Sequence, residues 1–487
     1  MKAHVTDYSL YRWRYPIGYL VIALVTICIL SIAVLYVPGA LRQGEMDTAV
    51  RTGELSAKSL TPAMVVDLPY HILQRVIFMA LGVTTLTIKL PSVVIGIGTT
   101  IGIFLLVKSW FRRNVAILVT VLAITTTQFL YLIQDGTPSI MYSFVTIWLL
   151  VAATHITRGT LFNTFWKVVT CVLMAISLYS PLGGYLVIAM AITASFHPHI
   201  RYVLRRISPL RLALAAVLGL LSIAPLVYAA IIDHSVASAL LGLPTGALNL
   251  KQNLFTVGQD LFGFFSTSNN YILRPLYSLG VFLLMLLGLY KLVTVKYTAR
   301  SYTVLILGAL MVPLVILNPD HVTSLYPLAV LMIAMGIATL IVNWYKLFPR
   351  NPYARVAGLL PLSVFVVGMM FSGVMRYMNN YIYSPNVLSH YTNDLRLVER
   401  ELAARHADAK TTRLVTSNSQ EPFYALVAHY DKRFAATTGY ENAPEQLIVM
   451  RDANRSTLPT GYTLERIITS RKATDADRLY IYTRATK

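Results

Sequence analysis

Cysteine and charged residues are both scarce in this chain of 487 residues. Its two cysteines, Cys28 and Cys171, lie inside apolar runs, which excludes a disulfide framework and a cysteine-ligated metal site. Only 13% of the residues are charged, about half the share in an average soluble domain, and 56% are hydrophobic. This composition excludes a single soluble globule. Apolar runs of about 20 residues, the length that crosses a bilayer, recur along the first three quarters of the chain and predict a polytopic α-helical membrane protein.

Acidic residues are rare among the apolar runs, and none is predicted in the middle of a span. A proton relay through the bilayer would need such a residue, so the pattern argues against one. The chain nevertheless has a net charge of +20. Its basic residues form short clusters between apolar runs, as on the cytoplasmic face of a membrane protein, and this pattern argues against nucleic acid as a partner.

The apolar runs predict eleven transmembrane helices, at approximately 17–37, 90–107, 115–133, 137–156, 161–180, 181–196, 212–232, 276–293, 302–317, 322–342 and 356–371. Basic residues precede the first run and then occupy every second loop, which places the amino terminus in the cytoplasm. An odd number of spans places the carboxyl end outside. The segment 68–81 is apolar but short and interrupted by polar residues, so we predict an interfacial helix on the outer side.

The chain divides into two predicted domains. Residues 1–384 form a membrane domain with long outer loops at 39–89 and 233–274, and the second loop holds an amphipathic interfacial helix at 249–265. Residues 385–487 have mixed charge and predict a small extracytoplasmic α/β domain, with helices at 393–405 and 422–429 and strands at 413–417, 446–450, 464–469 and 479–483.

The first outer loop holds four acids, Glu45, Asp47, Glu54 and Asp67, with basic residues between them. Two interpretations fit this pattern. The acids form surface ion pairs of little energetic value in a solvated loop, or one of them is a general base held at the membrane surface, facing a substrate whose other half lies in lipid. Position in the loop does not decide between these interpretations.

Other polar residues near the outer ends of the spans have similar alternatives. Gln134 and Asp135 occupy a tight turn between two predicted spans and fit either a turn role or a functional one. His321 begins a span, where it fits a helix cap or a ligand. Tyr326 fits packing as well as binding.

Several short motifs follow the first span in a particular order. Gly44 and Glu45 are followed by Asp47, then by Asp67-Leu68-Pro69-Tyr70 and by the span entry Lys89-Leu90-Pro91-Ser92. In this order they resemble the GT-C superfamily of integral-membrane glycosyltransferases, specifically the branch with the protein O-mannosyltransferases and the aminoarabinose transferase of lipid A. Members of this branch carry an acid pair such as Asp-Glu and an Arg-Leu-Pro-Ser entry, so Gly44 replaces the first acid and Lys89 replaces the arginine.

The resemblance extends to two later segments. Many members carry Gln-Glu-Ala-Arg after the third span, where this chain has Gln134-Asp135-Gly136-Thr137, with the acid kept and the arginine lost. The segment Glu421-Pro422-Phe423-Tyr424 is similar to the outer domain of bacterial members. The resemblance therefore implies a GT-C-like fold over the whole chain, with the sharpest motifs between residues 44 and 139.

The resemblance also implies an activity. A GT-C enzyme of this branch, expected to be inverting, takes a sugar from a polyprenyl-phosphate donor and passes it to a protein, glycan or lipid acceptor on the outer face of the cell membrane. Glu45 or Asp47 is then the expected general base, with Asp135 as the second carboxylate. The expected substrate-binding residues are Asp67, Arg75, Gln134, Arg274, His321 and Tyr326, and the three cations among them are the candidates for the donor phosphate. No cofactor is specified, and the need for a divalent metal ion stays open.

Two other classes of protein remain as alternatives. A transporter or lipid flippase would place polar groups or broken helices at mid-membrane, whereas the predicted acids lie outside and the sequence has no obvious inverted repeat. The other alternative is a membrane scaffold, or a glycosyltransferase relative that lost its activity with the missing arginine.

Overall fold

The computed structural model describes residues 9–33, 40–55, 61–159, 162–206, 208–244, 246–264, 274–295, 298–347, 352–384, 387, 389–404, 408–440, 445–453, 455, 458–469 and 478–484. Parts of several predicted segments lie outside the described residues. Among them are residues 34–37 at the end of the first predicted span, residues 56–60 in the first predicted outer loop, and residues 265–273 at the end of the second predicted outer loop.

The described part of residues 1–384 is almost entirely helical. The helices are α1 Ser9–Ser31, α2 Gln43–Glu54, α3 Leu68–Leu81, α4 Thr85–Trp110, α5 Arg113–Ile124, α6 Thr127–Gln134, α7 Ile140–Thr157, α8 Asn163–Ser177, α9 Gly183–Phe196, α10 Pro198–Arg205, α11 Pro209–Ile232, α12 His234–Leu240, α13 Leu250–Phe262, α14 Leu279–Thr294, α15 Ala299–Leu317, α16 Tyr326–Leu347 and α17 Pro352–Tyr383. Two short 3₁₀ helices, Pro62–Met64 and Pro319–Leu325, complete this part.

Among the described residues, six helical segments are long and apolar enough to cross a membrane: Thr85–Trp110, Ile140–Thr157, Leu212–Ile232, Ala299–Leu317, Pro319–Leu347 and Leu360–Tyr383. Helices α5 and α6, which meet at an angle of 63°, form a seventh if they are one bent span. Other predicted spans coincide with shorter apolar helices such as α8, α9 and α14. The predicted polytopic helical architecture is confirmed, and the total of eleven spans stays a prediction.

The third predicted span, 115–133, is broken, which corrects the expectation of one straight helix. The break falls at Thr125 and Thr126. The hydroxyl of Thr125 donates to the carbonyl of Val121 at 3.0 Å, and the hydroxyl of Thr126 accepts from the backbone N–H of Phe129 at 3.4 Å. Because these side chains satisfy backbone groups at the helix ends, the chain bends here at little cost.

The first predicted outer loop, 39–89, is largely helical. The assignment of Glu45 and Asp47 to a loop is wrong, because both lie in the first two turns of α2. The helix begins at a capping box in which the Glu45 carboxylate accepts from the backbone N–H of Arg42 at 2.8 Å. Helix α2 has a polar sequence with few apolar residues, so its periodicity gives little signal of a helix.

Helix α3 has the bounds expected for the interfacial helix, 68–81. Asp67 precedes it in the left-handed region with φ of 56°, and Pro69 lies in its first turn, where a missing N–H costs nothing. Gly82 ends the helix with φ of +74°, a conformation that favours glycine.

The described part of residues 385–487 forms an α/β unit. Its elements are helix α18 Leu395–Ala404, strand β3 Thr412–Val415, helix α19 Glu421–Asp431, and strands β4 Ala435–Thr437, β5 Gln446–Met450, β6 Tyr462–Ile468 and β7 Leu479–Arg484. The five strands form one sheet in the order β4-β3-β5-β7-β6, with β3 parallel to β4 and β5, and β7 antiparallel to β5 and β6. Both predicted helices and all four predicted strands are confirmed, whereas β4, with three residues, was too short to show an alternating pattern.

The α/β unit packs on the helices of the first predicted outer loop. One apolar cluster joins Met46 of α2, Phe78 of α3 and Ile88 of α4 to Leu395 and Ile448 of the α/β unit. The unit therefore covers the N-terminal end of α4.

A two-stranded antiparallel sheet makes a second connection between these parts. Strand β1, Leu41–Arg42, precedes α2, and strand β2, Tyr391–Asn393, precedes α18. Arg42 lies opposite Tyr391 in this pair. Segments from both ends of the chain thus meet beside the N-terminal end of α4.

Candidate active site

Two buried carboxylates, Glu45 and Asp135, lie at the N-terminal end of α4. Glu45 comes from the first turn of α2, and Asp135 is the residue that ends α6. Both are 0% exposed. The backbone N–H of Gly136 donates to Glu45 Oε1 at 2.8 Å and so ties the turn after α6 to α2.

The Glu45 carboxylate has three described partners. It accepts from the backbone N–H groups of Arg42 and Gly136, and the Lys89 ammonium lies 3.4 Å from Oε1. Burial raises the pKa of Glu45 above its usual value, and the charge of Lys89 and the two N–H groups oppose that rise. This carboxylate is therefore a stronger base than an exposed glutamate.

The Asp135 carboxylate is held by Arg42. The Nη2 atom of Arg42 contacts Oδ1 at 2.9 Å and Oδ2 at 2.8 Å, and the Thr137 hydroxyl donates to Oδ2 at 2.6 Å. The Asp135 charge raises the pKa of Arg42 well above its usual value. The Arg42 side chain is 26% exposed, whereas that of Asp135 is fully buried, so Arg42 connects the buried carboxylate to the surface.

A chain of buried polar groups extends from Lys89. Its ammonium donates to Gln134 Oε1 at 3.2 Å, and Gln134 Nε2 donates to the hydroxyls of Tyr381 at 2.8 Å and Tyr391 at 3.2 Å. These two hydroxyls lie 2.8 Å apart, and the Lys89 ammonium lies 5.8 Å from the centre of the Tyr391 ring. These hydrogen bonds thus join residues of α4, α6, α17 and β2 next to the Glu45 carboxylate.

Close packing fixes the turn that carries Asp135. A Cβ atom at Gly136 would lie 2.9 Å from Ile88 Cγ2 and 3.3 Å from Glu45 Oε1, closer than a larger residue permits without a shift. The Ser92 hydroxyl is 2.5 Å from the Asp135 carbonyl oxygen and 2.9 Å from the Tyr70 hydroxyl. A larger residue in place of the glycine that follows Asp135 would therefore displace Ile88 and crowd the Glu45 carboxylate.

The structure brings together three of the residues singled out in the sequence, Glu45, Gln134 and Asp135, and separates Asp47 from them. Asp47 lies on the exposed face of α2, where Gln43 Nε2 donates to its carboxylate at 2.9 Å. Residues i and i+2 of a helix point about 200° apart around its axis, so Glu45 and Asp47 cannot face the same group.

Two of the expected substrate-binding residues have structural partners on other elements. Arg75 donates to the carbonyls of Thr52, at 3.2 Å, and Gly53, near the end of α2. Tyr326 is 1% exposed, and its hydroxyl donates to the carbonyl of Ala123 at 3.2 Å.

Arg274 and His321 lie next to α13 and α15. Arg274 is 8% exposed and forms an ion pair with Asp260 at 2.6 Å. It also donates to Gln259 Oε1 at 2.7 Å. His321 lies in the 3₁₀ helix that Asn318 caps, and its backbone N–H donates to the Asn318 carbonyl at 3.2 Å. The structure thus places neither residue at the carboxylate pair.

Asp67 is a buried carboxylate apart from the carboxylate pair. It is 8% exposed, and its Oδ1 atom has no hydrogen-bond partner among the residues that the structure describes. Its backbone N–H donates to the carbonyl of Tyr179 at 2.8 Å. Burial raises the pKa of Asp67 to about 7.

Sequence reasoning assigned no catalytic or binding role to Lys89, Tyr381 and Tyr391, and it offered Arg42 only as a fallback cation for the donor phosphate, after Arg75, Arg274 and His321. Lys89 belonged to a motif, where it stood for an arginine. The two tyrosines gave no local signal, because their contacts to Gln134 join residues far apart in sequence. Among the described residues no group of three or more His, Cys, Asp or Glu side chains is arranged to hold a metal ion.

Three solved structures share this fold over nearly the whole chain. The apo form of ArnT from Cupriavidus metallidurans is 12% identical and has a TM-score of 0.54 over 96% of this chain and 98% of ArnT. ArnT bound to undecaprenyl phosphate is 11% identical, with a TM-score of 0.53 over 95% of this chain and 97% of ArnT. The oligosaccharyltransferase AglB from Archaeoglobus fulgidus, in complex with an inhibitory peptide and a dolichol-phosphate, is 11% identical, with a TM-score of 0.51 over 91% of this chain and 70% of AglB.

These neighbours are glycosyltransferases of the GT-C class. The chain therefore has the GT-C fold, and the resemblance inferred from its motifs is confirmed at the level of the fold. No family model matches the sequence, and no curated protein matches it.

Proposed function

We propose that this protein is a glycosyltransferase that moves a sugar from a polyprenyl-phosphate donor to an acceptor hydroxyl of a protein, glycan or lipid. One observation carries the proposal: a GT-C fold holds two buried carboxylates, Glu45 and Asp135, beside two cations, Arg42 and Lys89. The neighbours support the donor class, since ArnT binds undecaprenyl phosphate and AglB binds a dolichol-phosphate.

The proposed reaction is a single displacement at the anomeric carbon. The acceptor oxygen bonds to that carbon, the bond to the phosphate oxygen breaks, and polyprenyl phosphate leaves. The acceptor proton passes to a carboxylate, for which we propose Glu45, because burial raises its pKa and so its strength as a base. Attack from the face opposite the phosphate inverts the anomeric centre.

For the phosphate we propose Arg42 in place of the three cations expected from the sequence. It is part of the carboxylate cluster and partly exposed, whereas Arg75 and Arg274 are bound by other groups. A guanidinium group suits a phosphate because its donors match two oxygens at once. A donor phosphate that draws Arg42 away would also uncover the Asp135 carboxylate for the acceptor.

We propose that the site faces the outside of the cell membrane. The carboxylate pair lies at the N-terminal end of α4, whereas Arg158 and Arg300 bind the carbonyls of Ser109 and Trp110 at the opposite end. Basic residues favour the cytoplasmic side, so the carboxylate pair and the α/β unit belong on the other side. Nucleotide sugars are absent there, which favours a lipid-linked donor.

The test is transfer of labelled sugar from synthetic polyprenyl-phosphate sugars by the purified full-length protein. We expect Glu45→Gln to lower kcat by about 10²- to 10⁴-fold, the usual contribution of a general base. Asp135→Asn removes the charge that holds Arg42 and is expected to lower kcat as well. Asp47→Asn is the matched control, since it removes an exposed carboxylate from the same helix as Glu45. Parent rates in both cluster variants would refute the proposed site, and movement of intact donor across vesicles without product would favour a flippase.

A further inference from the structure

A large cavity lies at the C-terminal end of α4, across the helix bundle from the carboxylate pair. Its volume is about 660 Å³, within the range of about 300–1,000 Å³ that is typical of ligand sites. Residues of α4, α7, α8, α9, α10 and α15 line it. Its wall is mainly apolar, with Leu150, Met174, Val187 and Met190 among the lining residues.

Two arginines, Arg158 and Arg300, line the rim of this cavity. Arg158 donates to the carbonyl of Ser109, and Arg300 donates to the carbonyl of Trp110 at 2.7 Å. The carbonyls belong to consecutive residues, so the two guanidinium groups are held near each other. None of the described residues that line the cavity is acidic. Each guanidinium has five N–H donors, which leaves several for a ligand.

Helix α10 lies beside the rim and has the character of an interfacial helix. All its residues are at least partly exposed, and Ile200 and Leu204 on it line the cavity. Tyr202 is 52% exposed, with the Arg206 guanidinium 4.4 Å from the centre of its ring. An aromatic residue and basic residues on a short amphipathic helix are typical of the level of the lipid headgroups.

We propose that this cavity binds one anionic phospholipid, with an acyl chain along the apolar wall and the phosphodiester group at Arg158 and Arg300. Charge complementarity favours an anionic headgroup. The guanidinium groups of Arg158 and Arg300 are close together with no acidic residue in the described lining, so they repel each other and a bound anion would stabilise them. The apolar wall selects a lipid over free phosphate. Basic pockets between membrane helices commonly bind such headgroups. The proposal is independent of the sugar-transfer site, because none of the residues of the carboxylate pair lines this cavity.

The test is a titration of the purified full-length protein in neutral detergent with phosphatidylglycerol or phosphatidylcholine, with bound lipids counted by native mass spectrometry. We expect one phosphatidylglycerol to bind about tenfold or more tightly than phosphatidylcholine. Equal affinity for the two lipids, or no bound lipid, would overturn the proposal.

Variants test the contacts of the lipid headgroup and of the acyl chain separately. The double variant Arg158→Gln/Arg300→Gln is expected to weaken phosphatidylglycerol binding about tenfold. Arg112→Gln, which removes an exposed arginine from the turn after α4 and outside the cavity lining, is expected to leave it unchanged. A loss of the same size in Arg112→Gln would assign the effect to surface charge and overturn the site.

Ala194→Phe fills the apolar part of the cavity and keeps both arginines. We expect it to weaken phosphatidylglycerol binding as well. Undiminished binding in this variant, or displacement of the lipid by millimolar inorganic phosphate, would show that only an anion is recognised and would overturn the lipid proposal.

Discussion

The guanidinium group of Arg42 contacts both carboxylate oxygens of Asp135, although the two residues are 93 positions apart in the chain. Asp135 is completely buried, and Arg42 reaches the surface. Arg42 therefore lies between the Asp135 carboxylate and the surface. Removing Arg42 would leave the buried Asp135 charge without its main partner.

Arg42→Lys keeps the charge but is expected to lower kcat/KM by about 10²-fold. The reason is that an ammonium group is a single point charge and cannot contact a carboxylate and a phosphate as a guanidinium group does. Sugar transfer at several donor concentrations measures the effect. Arg51→Lys, at an exposed arginine on α2, is the control. Unchanged kinetics in Arg42→Lys would move the phosphate to another cation.

Lys89→Met is expected to shift the acidic limb of the pH–rate profile to higher pH. Burial raises the pKa of Glu45, and the Lys89 charge lowers it. Loss of that charge is therefore expected to raise the pKa of Glu45 further. A general base must be deprotonated, so activity rises with pH through that pKa. Lys89→Arg restores the charge and is expected to restore the profile. An unshifted limb in Lys89→Met would mean that Glu45 is not the base.

Tyr391→Phe is expected to lower kcat by about 5- to 100-fold, because it removes a hydroxyl that helps to hold Gln134 and leaves a buried amide with one partner fewer. Tyr377→Phe is a matched control in a neighbouring buried ring, whose hydroxyl has no hydrogen-bond partner in the described part of the chain. Equal losses in the two variants would point to general damage to packing.

Asp67→Asn is expected to raise the thermal unfolding temperature more at pH 8 than at pH 5. Burial raises the pKa of Asp67 to about 7, so the folded protein binds a proton that the unfolded chain releases near pH 4. The carboxyl thus favours folding below pH 4, and this contribution is lost as the pH rises through 7. Thermal unfolding at both pH values, with Asp47→Asn as the exposed control, measures the difference. The same change at both pH values would contradict this account.

Arg75→Gln tests a residue that the sequence placed among the phosphate ligands. Because Arg75 binds the carbonyls near the end of α2, we expect a lower unfolding temperature and a donor KM within about twofold of the parent. A large rise in KM with unchanged stability would return Arg75 to the donor site.

Local patterns in the sequence predicted the architecture well. Apolar runs located the membrane helices, and alternation located four of the five strands of the α/β unit. Resemblance in short motifs also led to Glu45, Gln134 and Asp135, which the structure brings together. The choice between Glu45 and Asp47 needed the structure. The two acids look alike in a polar segment, and only the helix formed there puts one inside and one outside.

Contacts between distant segments could not be predicted from the sequence. Charge patterning placed Arg75 and Arg274 on the outer side, yet each is bound by a group that patterning does not identify, the end of α2 and Asp260. Tyr391 reaches the site through the pairing of β1 with β2. The energy of such contacts depends on tertiary packing, for which one sequence carries no periodic signal.

The pairing of β1 with β2 also constrains the order of events during synthesis. The ribosome makes Arg42 early, but its partner strand emerges only after the last helix of the bundle, α17. Until then β1 lacks its partner strand, and Gln134 lacks the two tyrosines that bind it. A nascent chain that stalls in the membrane, or a product truncated before residue 391, would therefore carry both carboxylates without a complete site.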